Sequence, residues 1–158
     1  MIGGLLLLWL QAGPVAAHEV TLQGDKGEDL VSLKLELDWN VLAGRNGLEL
    51  SSGNGHTRIH CAELTSYTTL EEASVYLKTV RDTLFQSFEE TSQEQVDFEG
   101  HPALKLSGRG VARGFKTSFE GLLFRTNDDH LCMIMLEQDI GYETTMPALR
   151  DLLRLPGR

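Results

Sequence analysis

Cysteine is scarce in this chain: two in 158 residues, with no Cys-x-x-Cys, which argues against a redox role. Cations are few. Fourteen Lys and Arg stand against 23 Asp and Glu, a net charge of −9, which argues against nucleic acids and anionic membrane surfaces as partners. Aromatics make up 7% and prolines number four, with no low-complexity segment and no internal repeat, so collagenous, mucin-like and disordered classes drop out. The sequence has no Gly-x-Ser-x-Gly, and no single Cys stands beside an obvious His base in a recognisable family signature. Its longest early apolar run, Leu5 to Leu10, is too short for a bilayer, which takes about 20 residues. What is present is ordinary globular usage, 41% hydrophobic and 23% charged, at a length of about one domain.

The apolar run is followed by Pro14 and the small residues Val15-Ala16-Ala17, the spacing that signal peptidase reads. We therefore expect residues 1–17 to be a secretory signal cleaved after Ala17, with no Cys nearby for a lipid anchor. That places the mature chain in a periplasm or outside the cell, with no stable membrane anchor. Residues 18–29, ending in QGDKGED, read as a flexible lead-in, and 30–158 as one domain. In an exported domain Cys61 and Cys132 are expected to pair, closing a long loop worth roughly 4 kcal/mol in the chain-entropy treatment.

From Val31 to Val41 apolar and polar residues alternate without a break (Val31, Leu33, Leu35, Leu37, Trp39, Val41), the period of a half-buried strand. Gly44 to Gly47 signals a turn, with strands expected at Leu48–Leu50 and Arg58–Leu64. Thr69 stands three before Glu72, the capping-box spacing, and Ala73, Leu77, Val80, Leu84 and Phe88 then form one apolar stripe of a helix. Period two returns at Val96 and Phe98, passes the Gly100-His101-Pro102 turn to Leu104 and Leu106, and recurs at Phe115, Thr117 and Phe119. Leu131 to Leu136 is unbroken apolar, as in a central strand covered on both faces. Thr145 and Pro147 mark a closing helix with Leu149, Leu152 and Leu153 on its apolar side. The order argues α+β: an antiparallel sheet of about six strands with one long helix and a short C-terminal helix packed on it.

Several of these features together resemble the PsbP/Mog-like fold and, within it, the bacterial DcrB-like proteins. They are the alternating strand ending in Trp39, the helix opened by Thr69-Leu70-Glu71-Glu72, the hairpin Phe98-Glu99-Gly100-His101-Pro102-Ala103, the strand Phe115 to Phe124, the apolar strand around Cys132 and the closing helix Pro147 to Leu155. The resemblance spans about Leu30 to Leu155. It implies an α/β/α sandwich that binds other proteins, with no catalytic residue to carry over.

Among candidate sites, Ser107-Gly108-Arg109-Gly110 with Arg113-Gly114 is glycine-rich and locally basic. It reads as a mobile hairpin loop, with a phosphate cradle as the alternative, and as the basic patch that would meet an acidic partner surface. The binding residues expected there are Arg109, Gly110, Arg113 and Phe115. His56 and His60 are four apart on a turn and strand, which spreads them by about 13 Å and disfavours zinc. Asp128-Asp129-His130 forms an acidic tip without the spacing of a calcium loop. We expect no catalytic residue, cofactor or metal. The alternative class is a copper- or zinc-binding protein, or enzyme, using a mature N-terminal His18 with another His.

Overall fold

The computed structural model describes residues 17–36, 38–44, 46–142 and 153–156. The expected signal segment up to residue 16 and most of the expected closing helix (147–152) lie outside the described residues. Two sheets result. The larger is a seven-stranded antiparallel sheet, built from β3 (Asn40–Gly44), β4 (Gly47–Ser51), β5 (Thr57–Glu63), β6 (Ser87–Phe98), β7 (His101–Ala112), β8 (Phe115–Arg125) and β9 (Leu131–Asp139), in the order β3-β4-β5-β9-β8-β7-β6. The smaller has three strands, β1 (Ala17–Gln23), β2 (Asp29–Glu36) and β10 (Leu153–Arg154), in the order β1-β2-β10. One helix, α1 (Leu70–Leu84), joins β5 to β6.

Three layers follow from how apolar residues fall on the faces of the large sheet. Leu48, Leu50, Ile59, Cys61, Leu122, Phe124, Ile134 and Leu136 bury one face against Leu22, Leu33, Leu35 and Leu153 of the small sheet. The other face packs Leu104, Leu106, Phe119, Leu123, Met133 and Met135 beneath Ala73 and Leu77 of α1. β9 is the central strand and is covered on both sides, which is why its sequence shows no alternation. The hairpin turns are tight. Glu99-Gly100 and Arg113-Gly114 both carry positive φ (49° and 85°, 54° and 82°), the conformation whose twist matches that of the flanking strands. Asn46, at φ 57°, does the same between β3 and β4.

The helix starts where the capping spacing places it. Thr69 Oγ1 accepts from the Glu72 backbone N–H at 3.1 Å, while the Glu72 carboxylate accepts from the Thr68 N–H and hydroxyl. That backbone hydrogen bond from Thr68 holds the Glu72 carboxyl below its usual pKa range.

The structure corrects several expectations. The single strand from Val31 to Val41 is two: β2 ends at Glu36, the chain turns near Asp38, and β3 enters the other sheet, with half-buried Trp39 packed against the core at the crossing. β3 itself is exposed along its whole length, so the alternation that runs on to Val41 reports no buried face there. Residues 18–23 are strand rather than lead-in, since Val20 and Leu22 turn toward the core and His18 pairs with Leu35 in the ladder. The helix stops at Leu84, and Phe88 belongs to β6. The large sheet has seven strands, not about six, and the second layer is a sheet. Leu153–Arg154, expected as helix, pair with β2 because Leu153 inserts fully buried opposite Leu33.

The expected disulfide is also absent: Cys61 and Cys132 are buried free thiols. Cys61 stands opposite Ile134 and Cys132 opposite Glu63, so the cysteines are diagonal neighbours. Such positions lie roughly 7–8 Å apart, beyond the ~4.4–6.8 Å between Cα atoms that a bridge requires. Burial pushes both thiols up, and the Glu63 charge adds to the rise at Cys132, to about 12. Both are therefore protonated and unreactive at neutral pH.

Candidate functional site

One end of the large sheet carries the densest polar cluster among the described residues. Here β9 leaves the shelter of α1, and its next helix-facing positions are Glu137 and Asp139, both buried. Buried carboxylates need partners, and these have them. Arg113, from the β7–β8 turn, reaches Glu137 Oε1 at 3.3 Å and Asp139 Oδ1 at 3.1 Å with its two terminal nitrogens. His60 Nε2 lies 3.0 Å from Glu137 Oε2, and His56 Nδ1 lies 2.9 Å from Asp139 Oδ2. The Thr117 hydroxyl donates to Asp139 Oδ1 at 2.9 Å. Burial by itself would raise the Glu137 carboxyl. The His60 hydrogen bond and charge, with Arg113, outweigh it and hold the group below its ordinary range.

Above this polar floor sits an aromatic rim. The His56 ring stacks on Tyr142 with centroids 3.7 Å apart and meets Phe115 edge-on at 5.2 Å, and Phe115 and Tyr142 meet edge-on at 6.0 Å. The rim stays open to solvent: Phe115 is 39% exposed, Ile140 42% and Tyr142 48%. Around the sheet end, on the opposite face, Arg109 and Lys116 flank a shallow groove whose walls include Phe88, Val111 and Ile140. Glu89 stands across the ladder from Arg109.

Of the residues expected from sequence, the structure brings Arg113 and Phe115 into this cluster. It places Arg109 on the other face of the same end. The glycine-rich stretch is strand, not loop, and its glycines serve packing. A Cβ at Gly108 would fall 2.2 Å from the Phe88 ring, and one at Gly110 would fall 2.1 Å from the Ser87 carbonyl oxygen. Because β7 is paired on both sides, its backbone N–H groups belong to the ladders and offer no phosphate cradle. His56 and His60 each face a different carboxylate rather than each other. The tip Asp128-Asp129-His130 is a turn, with Asp129 at φ 68° bonded to Arg125 and His130 turned toward Glu63. His18 lies in β1.

Glu137, Asp139, Tyr142, Ile140 and Lys116 were not reached from sequence. The available signal was two acids continuing the inward register of an apolar strand. The arrangement presents an aromatic surface over a floor of paired carboxylates. No serine or cysteine is hydrogen-bonded to either histidine among the described residues.

Solved structures of the same layout exist. The cyanobacterial PsbP of Synechocystis aligns with a TM-score of 0.61 at 14% identity, covering 92% of this chain and 95% of that one. Mog1p, a Ran-binding protein of Saccharomyces cerevisiae, aligns at 0.54 and 12% identity, covering 80% and 78%. The fold is PsbP/Mog-like. A Bacteroides thetaiotaomicron protein aligns at 0.55 and 8% identity over 88% of this chain and 48% of its own length. No protein-family model matches the PsbP/Mog-like chain, and no curated protein is similar enough in sequence to register.

Proposed function

We propose that this is a non-enzymatic accessory domain of the DcrB-like type, exported to a periplasm or the cell exterior, which binds another protein at the Arg113 end of the sheet. The exposed rim of Phe115, Ile140 and Tyr142 is the observation that carries the reading. Aromatic residues beside arginine, held in fixed rotamers by ring contacts, match the composition of recognition surfaces and lose little entropy on binding. Arg109 and Lys116 flank the groove on the other face of the same end and share Ile140 with that rim, on a chain of net charge −9, so the sheet end complements an acidic segment that also bears an apolar side chain. The Ran-binding neighbour supports protein recognition as work this fold can do.

The test is affinity capture from the native host's envelope fraction with a C-terminally tagged chain, read by mass spectrometry that also reports the mature N-terminus. We expect a mature chain starting at His18 and one near-stoichiometric protein whose recovery falls at least tenfold for Arg109→Glu/Lys116→Glu. Equal recovery by the folded double variant would refute the surface assignment.

A further inference from the structure

At the opposite end of the β5–β9 pair, the last residue of β5 and the residue preceding β9 meet a side chain from the small sheet. Glu63 Oε1 lies 2.6 Å from His130 Nδ1, and Glu28 Oε1, from the β1–β2 turn, lies 3.4 Å from His130 Nε2. We propose that Glu28, Glu63 and His130 form a binding site for one divalent transition-metal cation of the zinc class, held by an imidazole nitrogen and two carboxylates.

Charge and burial both point to a cation. Glu63 is 7% exposed, and its Oε2 is fully buried with no hydrogen-bond partner. An orphaned carboxylate oxygen inside a protein costs several kcal/mol by typical scales, so a group that satisfies it is favoured. Histidine cannot do so alone. Two carboxylates against one imidazolium leave an excess negative charge, and against a neutral ring they leave twice that, whereas a dication cancels it.

The donor geometry is close to what such an ion needs. One ligand atom from each residue lies within 4.8 Å of the other two, and donors around a zinc ion sit about 3–4 Å apart. Little has to move. Glu63 and His130 are fixed by the Leu64 N–H to Leu131 carbonyl bond between their neighbours and by the His130 N–H to Thr126 hydroxyl bond. Glu28 sits in a solvent-facing turn, where its other oxygen accepts from the Lys26 backbone N–H, so its carboxylate supplies the adjustment. The imidazole nitrogen and carboxylate oxygens make a donor set that suits zinc or manganese better than monovalent copper. The ion would tie the small sheet to the large one.

The full mature chain, freed of metal by dialysis against chelator, is titrated calorimetrically with zinc chloride alone. We expect one equivalent to bind, with affinity falling tenfold or more in Glu63→Gln, His130→Gln and Glu28→Gln and unchanged in His101→Gln. Glu28→Gln alters an exposed turn and keeps the fold, so it decides the matter should a buried variant fail to fold. Zinc should also raise the melting temperature of the parent chain but not that of Glu28→Gln. No binding by the parent chain at millimolar zinc would overturn the proposal. So would binding that survives both Glu28→Gln and His130→Gln, including binding lost instead on His18→Ala.

Discussion

Glu137 and Asp139 follow six apolar residues on the central strand and point inward as those do, so their charges exist only because Arg113, His56 and His60 meet them. A carboxyl held below its unfolded pKa stabilises the fold at pH values above the unfolded value, near 4.3, and loses that contribution as pH falls through the folded value. Urea midpoints measured from pH 7 to pH 3 should therefore drop steeply below about pH 4.5 in the parent chain. Glu137→Gln should cost about 3 kcal/mol at pH 7 and flatten that slope. Parallel pH profiles would mean the carboxyl is not bound by its neighbours. Arg113 and Phe115 were legible in the sequence as a basic, glycine-spaced stretch. Glu137 and Asp139 were not, because their partners arrive from β5 and the β7–β8 turn and only the register brings the three together.

At the scale of elements, local chemistry was readable wherever it acts over a few residues. The Thr69 cap and the Asn46 turn sit where short-range signals put them, while the turn read at Gly100-His101-Pro102 closes one residue earlier, at Glu99-Gly100, with His101 and Pro102 already in β7. Strand β6 was harder. SFEETSQEQVDF is an edge strand, polar on most of its length, with a bulge between Glu90 and Ser92, so it carries no clean alternation and Phe88 read as a helix continuation. The glycines opposite it make sense only once Phe85 and Phe88 are laid over β7. Gly108→Ala should destabilise the domain by about 1–3 kcal/mol in urea unfolding. Adding Phe88→Ala should recover part of that loss by removing the ring in the way, while the Glu89 carbonyl oxygen, 2.6 Å from the same Cβ, keeps recovery incomplete. Independent, additive costs would contradict this packing.

For the whole molecule, the α+β class and the PsbP/Mog-like arrangement were legible in the order of strands, helix and strands. The partition into two sheets was not. β2 and β3 share one unbroken alternation, and β10 is two residues long, recognisable only by its pairing with β2. That partition matters for function because the small sheet covers one face and α1 the other, and among the described residues the Arg113 end keeps Phe115, Ile140 and Tyr142 exposed. Among the described residues other apolar side chains are also exposed, Val75 on α1 and Leu42 on edge strand β3, and they provide internal controls. The decisive measurement places a photo-crosslinking amino acid singly at positions 115, 140, 75 and 42 of the chain in its native host. The account predicts one common protein adduct from 115 and 140 and none from 75 or 42. An adduct confined to 75 or 42, or none at any position, would contradict it.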